Sequence, residues 1–556
     1  MLQKKPFLID MSEYKLTTAG KFGKIFDKTP QTIKRTGFNI FDYDKVFADE
    51  ETNKLIRTGR TIGCFYIESP GMRSLLRKLD CHSFEMLTAA SSVIRPGVAE
   101  SGMMKEFIER HKDPSKRKYL IPEMEKYLGE TYGVMIYQED VIKIAYHLVG
   151  LTLEEADLLR RAMSGKMRSH KAMQLIVDKF FRCCREKGYS DAIANKLWTQ
   201  IESFAGYAFC KAHSASFAVL SYQVAYLKAH YPAEFMAGVL NNGGGYYSSA
   251  VYIGESKRLG IKILLPCVNK SEYNYIGIGN EIRIGFIAIK NFNKKSADII
   301  IEDRKRRGDF FSLSEFLSRT HLTFEQTELL IKCGAMDIFK QTRPTLLRLL
   351  DLYFYNRDFL EGDNFNLFAG TTTHLEKDLI TTTNFTIEEA CTHEFEIFGY
   401  MVSAHPLNFF AETNHPSIIK AADIEKYHNK RVKMTGWYMA AKRVVTSKGK
   451  VMKFLSLEDL TGTFEAVIFP DAYEKYAELT VSMGPYLIEG IVDAEEGNNN
   501  IIVKKLSVLS AAKAASITQK DRTNKDFFGE SEKPLEYDEI SLVSSLGKEK
   551  LRLAYL

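Results

Sequence analysis

No Cys-x-x-Cys spacing occurs anywhere in the chain. The eight cysteines are scattered, with Cys183-Cys184 the one close pair. That pattern excludes a zinc ribbon or a disulfide framework and suits small buried thiols in a reducing compartment. Apolar runs long enough to span a bilayer are also missing. The opening Met-Leu-Gln-Lys-Lys-Pro-Phe-Leu-Ile-Asp lacks the sustained apolar stretch of a secretory leader. A cytoplasmic protein with no membrane partner is therefore expected. No strong excess of one charge exists either: 76 Lys and Arg against 70 Asp and Glu leave a net +6. That is compatible with nucleic acid without singling it out. No internal repeat stands out. What remains is an ordinary globular composition, 45% hydrophobic and 26% charged over 556 residues, too long for one core and suggesting roughly three to five domains.

Residues 1–55 carry mixed signals. From there to about residue 275 the pattern is mostly helical. Thr152-Leu153-Glu154-Glu155 forms a capping box, in which Thr and the Glu three residues on satisfy each other's backbone donors. Ala215 to His230 is apolar nearly all round, with Phe217, Leu220, Val224 and Leu227 on one side and Ala218, Tyr222 and Ala225 on another. Such a helix is buried, and Pro232 ends it. Residues 276–345 read as a small hairpin, with Gly277, Gly279 and Asn280 at its turn, followed by helices. Residues 346–428 hold one further helix, from Thr345 to Phe359, and then a polar, threonine-rich linker. Residues 429–510 contain five short alternating runs, around Val432, Phe454, Val467, Ile488 and Ile502, which predict a small closed barrel. Residues 511–556 are rich in Lys, Glu and Ser and are expected to be mostly disordered. The fold class is a multidomain α+β protein with a large helical domain, a small helical module and a C-terminal β-barrel.

Two strings carry the chemistry. Leu159-Arg160-Arg161-Ala162-Met163-Ser164-Gly165-Lys166 places two arginines and a lysine at a helix end. Phe204-Ala205-Gly206-Tyr207-Ala208-Phe209-Cys210-Lys211-Ala212-His213-Ser214 sets Lys-x-His on a glycine-aromatic turn. Guanidinium groups bind phosphate oxygens in a fork and stay charged at physiological pH, so the combination suits a triphosphate. A plainer alternative stands beside it. Asp157 lies four residues before Arg161 and can form a surface ion pair with it, and a lone histidine such as His213 is more often a satisfied core group than a catalyst.

Both strings resemble the fingers domain of the bacterial DNA polymerase III alpha subunits, the C-family replicative polymerases. Ile62-Gly63-Cys64-Phe65-Tyr66-Ile67-Glu68-Ser69, Arg95-Pro96-Gly97 and Gly133-Val134-Met135-Ile136-Tyr137-Gln138-Glu139-Asp140 match further strings of that family. The resemblance implies that Arg160, Arg161 and Lys166 bind the incoming nucleotide's triphosphate and that Lys211 and His213 line the nascent pair. Glu68, Glu139 and Asp140 lack ligand spacing and are expected to orient the basic residues rather than hold metal, and Arg95 is a candidate DNA contact. Ile289-Lys290-Asn291-Phe292-Asn293-Lys294-Lys295 stands where the family has the Gly-x-Gly turn of a helix-hairpin-helix pair. Asn is the commonest non-glycine residue at positive φ, so the turn is tolerable. Leu330-Ile331-Lys332-Cys333-Gly334-Ala335-Met336-Asp337 resembles the partner hairpin. Lys290, Lys294, Lys295 and Lys332 are candidate phosphate contacts, or else an ordinary solvated basic face. Asn364-Phe365-Asn366-Leu367-Phe368 occupies the place of the family's sliding-clamp peptide, with Asn364, Leu367 and Phe368 as its contacts.

The barrel strings Lys450 to Gly462 and Glu465 to Pro470 resemble the family's OB-fold, which stacks bases on aromatics above a basic groove. Trp437, Tyr438, Lys442 and Arg443 are candidates there, joined by Lys448 and Lys450, whereas Phe454 and Phe469 are expected in the core. The resemblance covers about residues 40 to 510, the C-terminal half of a full-length alpha subunit. The family's Pro-Asp-x-Asp-x-Asp string is missing. Phe41-Asp42-Tyr43-Asp44-Lys45 offers only a structural Asp-x-Asp. Polymerases need carboxylates holding two Mg²⁺, so the expectation is a DNA-directed DNA polymerase by family, with the Mg²⁺ ligands outside this chain and no turnover by the chain alone. Implied partners are primer-template DNA, deoxynucleoside triphosphates, a sliding clamp, other holoenzyme subunits and a palm-bearing chain. The rival expectations are a non-catalytic DNA- and clamp-binding protein, or one half of a split polymerase whose palm comes from a second chain.

Overall fold

The computed structural model describes residues 39–94, 102–163, 170–203, 210–360, 382–446, 448–494 and 499–509. Three hydrophobic cores organise them, in chain order. The first is mostly helical and runs from Val46 to Ala225. At its centre the Phe84–Val93 helix packs on the Lys211–His230 helix, and the buried hydroxyls of Ser92 and Ser214 meet at 2.7 Å. The capping box at Thr152 is present, with Thr152 N–H donating to Glu155 Oε2 at 3.0 Å and Glu155 N–H to Thr152 Oγ1 at 3.3 Å. Pro232 both ends the Lys211–His230 helix and opens the next, Pro232–Asn241, where its missing N–H costs nothing.

The all-round burial predicted for the Lys211–His230 helix is corrected. Ser214, Ala218, Ser221, Tyr222, Ala225 and Lys228 form its buried stripe, and Leu220 is exposed. Lys228 is enclosed completely. Its Nζ donates to the Arg60 and Ile62 carbonyls and to Glu255 Oε1, each at 2.7 Å.

The second core gathers Ile62, residues 233–350, Ile397–Val402 and Met439. The predicted hairpin forms from β2 (Ile276–Ile278) and β3 (Glu281–Arg283), turning at Gly279, which has φ +62°. A strand that periodicity did not mark, β1 (Lys262–Leu264), adds in parallel to β3, giving the order β1-β3-β2. Helices Lys294–Arg307, Leu313–Thr320, Phe324–Lys332 and Arg343–Leu360 follow.

The third core fills a closed barrel in the order β4-β5-β6-β8-β7, from β4 (Arg431–Val445), β5 (Val451–Glu458), β6 (Thr463–Ile468), β7 (Tyr486–Asp493) and β8 (Asn500–Val508). β4 closes it by serving two neighbours, pairing through Arg431–Gly436 with β7 and through Trp437–Val445 with β5. A register shift between Tyr438 and Ala440 frees Met439, which lies in the second core instead. Bulges re-aim single side chains in this way. Charged groups complete the joint. Arg258 bridges Glu255 Oε2 at 3.2 Å and Glu458 Oε2 of the barrel at 2.7 Å, and Arg73 Nη2 donates to Thr463 Oγ1 at 3.1 Å. Among the described residues, no helix is long and apolar enough to cross a membrane.

Candidate nucleotide site and nucleic-acid interface

The helical core brings Arg160 and the start of the Lys211–His230 helix to one turn. Asp140, buried at the first turn of the Gln138–Lys143 helix, accepts the N–H groups of Ile136 (3.1 Å) and Tyr137 (3.0 Å). Burial pushes its carboxyl up to about 6, against the pull of those donors and of Lys143 at 3.5 Å. The turn so fixed presents Gln138 and Glu139 to two different helices. Gln138 Oε1 accepts Arg160 Nη1 at 3.0 Å from the Leu153–Met163 helix. Glu139 Oε2 accepts the Lys211 N–H at 3.0 Å, capping the first turn of the Lys211–His230 helix. One dipeptide therefore ties the Arg160 guanidinium to the first turn of the Lys211 helix.

Each of these cations meets a carboxylate. Asp157 Oδ1 accepts Arg160 Nε and Nη2 at 2.9 and 2.7 Å, while Asp157 Oδ2 lies 2.7 Å from Arg161 Nε. The hydrogen bonds from Arg160, with both arginine charges, hold the Asp157 carboxyl below the usual carboxylate range. Lys211 Nζ lies 2.5 and 2.7 Å from the two Glu130 oxygens and 5.4 Å above the Tyr137 ring. A cleft of about 200 Å³ opens beside Glu130, between Glu85, Phe107, Tyr132 and Tyr137. His213 is half-buried with its ring 4.3 Å from that of Phe217. Lys166 and Arg95 lie outside the described residues, as do the Gly206 turn and the clamp-peptide residues Asn364, Leu367 and Phe368.

Glu68 and Glu139, like Asp140, are spent on backbone donors. Glu68 accepts from Gly63 N–H (2.8 Å), Tyr246 N–H (2.5 Å) and the Tyr252 hydroxyl, and burial raises its pKa against those bonds. Asp42 pairs with Lys45 at 3.1 Å. Among the described residues no group of three or more His, Cys, Asp or Glu is placed to hold a metal ion.

The helical module offers a more open basic surface. Lys290, Lys294 and Lys295 are exposed around the start of the Lys294–Arg307 helix. Asn291 takes φ +62°, as the turn requires. Asn293 does not share that conformation. It sits at φ −80° and caps the helix, its Oδ1 accepting Ser296 N–H at 2.8 Å. Lys332 of the second hairpin is half-exposed and paired with Glu328 at 2.8 Å. Gly334 takes φ +81° there, and a Cβ on it would stand 2.3 Å from Arg343 Nη2. Gln326 Nε2 donates to Ser296 Oγ at 2.8 Å, tying the two hairpins together.

On the barrel, alternation separates the candidates. Tyr438 pairs with Leu457, and Leu457 with Phe464; Leu457 and Phe464 are barrel core, and Tyr438 is half-buried against it. Trp437 lies opposite Glu458, the residue that Arg258 holds at the joint. Lys442 and Arg443 are exposed. Lys442 shares a cross-strand row with Phe454 and Val467. The expectation that Phe454 and Phe469 are core is corrected. Phe454 is half-buried in that row, and Phe469 is 46% exposed ahead of the Pro470–Tyr476 helix, where the chain leaves the barrel wall. Lys450 reaches Asp471 at 3.7 Å.

Three family models match the chain in the order of its cores: the bacterial DNA polymerase III alpha subunit finger domain over residues 24–188, a helix-hairpin-helix motif over residues 260–346, and an OB-fold nucleic acid binding domain over residues 432–509. DNA polymerase III subunit alpha of Aquifex aeolicus is 33% identical over 480 residues, covering 85% of this chain and 40% of that protein. The same subunit of Staphylococcus aureus is 32% identical over 534 residues, covering 94% of this chain and 49% of that protein. The chain is a relative of the bacterial DNA polymerase III alpha subunits. It spans less than half the length of these curated alpha subunits. Arg160 and Arg161 fall within the finger match, whereas Lys211 and His213 lie beyond its end and are joined to it through Glu139. Glu130 and Gln138 are the residues of this site that the sequence reading missed. Gln138 sits inside a string that resembles the alpha subunits, but Glu130 carries no sequence signal.

Proposed function

We propose that this chain is the nucleotide- and DNA-gripping portion of a template-directed DNA polymerase that adds deoxynucleotides to a primer 3′ end. The carrying observation is the Gln138-Glu139 dipeptide, which holds Arg160 on one side and the start of the Lys211 helix on the other. Two cationic groups from separate helices at a fixed spacing are what a multi-phosphate ligand needs. In this reading Arg160, Arg161 and Lys166 take the triphosphate, and Lys211 and His213 line the nascent pair, with the Lys211 ammonium adding a further contact to the phosphates. Lys290, Lys294, Lys295, Lys332 and Arg95 grip the primer-template backbone. Lys442 and Arg443 guide the single strand past Trp437 and Tyr438.

Asn364, Leu367 and Phe368 dock a sliding clamp, and other holoenzyme subunits join the assembly. The carboxylates that hold the catalytic Mg²⁺ are read as lying outside the described residues, and a separate palm-bearing chain is one way to supply them. Primer extension with and without such a chain tests the reading. Extension is expected only with the partner, and Arg161→Ala should weaken nucleotide binding to the assembled enzyme. Turnover by this chain alone would overturn the assignment of the metal ligands, and unaltered nucleotide affinity would overturn that of the arginines.

A further inference from the structure

The cations of the nucleotide site are already occupied by acids of the same chain, and the kind of acid is informative. The other carboxylates nearby serve the fold. Asp140 and Glu139 accept backbone N–H groups. Asp157 and Glu130 bond side chains of the candidate triphosphate ligands instead, and they do so near the surface. The Asp157 side chain is 32% exposed and that of Glu130 47% exposed. Asp157 serves both arginines at once, one with each oxygen. Glu130, in the short Gly129–Thr131 turn, reaches Lys211 across 81 residues of sequence with both oxygens. Glu130 also borders the open cleft at Tyr132 and Tyr137, which leaves its side chain somewhere to withdraw.

We propose that Asp157 and Glu130 are stand-in anions: they hold the Arg160, Arg161 and Lys211 head groups where phosphate oxygens replace them, so nucleotide binds by carboxylate-for-phosphate exchange. The inference rests on the triphosphate reading of these cations. A carboxylate offers two oxygens and one charge, and a triphosphate offers more of both, so the exchange runs toward bound nucleotide while the acids still oppose it. The apparent affinity is then the intrinsic affinity reduced by the fraction of protein whose cations are released. The two acids act as positioning residues that set nucleotide affinity, and they hold the empty site in register.

The sign of a substitution separates this role from a merely structural one. If the acids only orient the cations, their removal disorders the head groups and weakens binding. If they are stand-ins, their removal strengthens it. The test titrates inorganic tripolyphosphate, and then a deoxynucleoside triphosphate, into the full chain at fixed ionic strength, with Asp157→Asn, Glu130→Gln, the double variant, Arg160→Ala and Arg161→Ala. Both acids are solvent-exposed, so unaltered melting of each variant is expected and provides the folding check. Each single neutralisation should tighten binding roughly 1.5-fold to fivefold, and the double variant further, in line with surface ion pairs of this kind. Equal or weaker binding by Asp157→Asn and Glu130→Gln, with Arg161→Ala still lowering affinity, would overturn the stand-in role and leave the triphosphate reading intact. Binding that ignores both Arg160→Ala and Arg161→Ala would overturn the reading and the inference together.

Discussion

Lys228 shows how much one side chain commits here. Its ammonium is sealed between two carbonyls and Glu255, and a buried ion whose partner is removed is far costlier than the pair itself. Lys228→Met is therefore expected to destabilise the chain by about 3–5 kcal/mol, measured by denaturant unfolding. The partner gives a pH signature. Burial alone would raise Glu255, but Lys228 and Arg258 more than offset it and hold its carboxyl down to about 2, against an ordinary 4.5. As pH falls, the unfolded chain takes up this proton first. The stabilisation is complete above 4.5 and is lost between there and 2. Melting temperatures of the wild type and Glu255→Gln should differ by a constant amount above pH 5 and converge below it; a gap that widened on acidification would contradict this.

At the scale of elements, the turn before the Lys294–Arg307 helix divides its work between two asparagines. Asn291 supplies positive φ and Asn293 supplies the cap. Asn293→Ala should cost about 1 kcal/mol. Asn291→Gly should cost nothing, and Asn291→Val about 1–2 kcal/mol from its left-handed backbone. Thermal melts of the three variants check this ordering. Sequence alone marked both asparagines but not the division, because the same side chain suits a left-handed turn and a helix N-cap equally well. The barrel strands were legible for the opposite reason. Alternation in β7, with Tyr486, Ile488 and Val492 buried and their neighbours half-exposed, has one reading on a closed sheet. In the Lys211–His230 helix the pattern misled, since an apolar Leu220 is exposed and a charged Lys228 is enclosed. Burial there follows the position of neighbouring helices, which hydrophobicity does not encode. The acid on the Lys211 ammonium was invisible for a similar reason: Glu130 is distant in sequence and lies within no periodic pattern.

Over the whole molecule, the helical region and the barrel are joined by the Glu255–Arg258–Glu458 chain of charges and by Met439. Arg258→Met would leave the buried Glu458 carboxylate without its arginine and should cost about 3–5 kcal/mol, while Arg258→Met combined with Glu458→Leu should cost less. Calorimetry on the three proteins checks this, and strictly additive losses would mean the two side chains do not act as one unit.

The helix Ser249–Arg258 carries this joint further. Lys257 Nζ donates to the Val402 carbonyl at 2.6 Å, one residue before Arg258 takes Glu458. Neighbouring residues on one rigid rod thus moor both the stretch that leads toward the barrel and the barrel itself. The intervening polypeptide is consequently a strut of set length rather than a tether, and an inserted residue would have to be absorbed between its two anchorages.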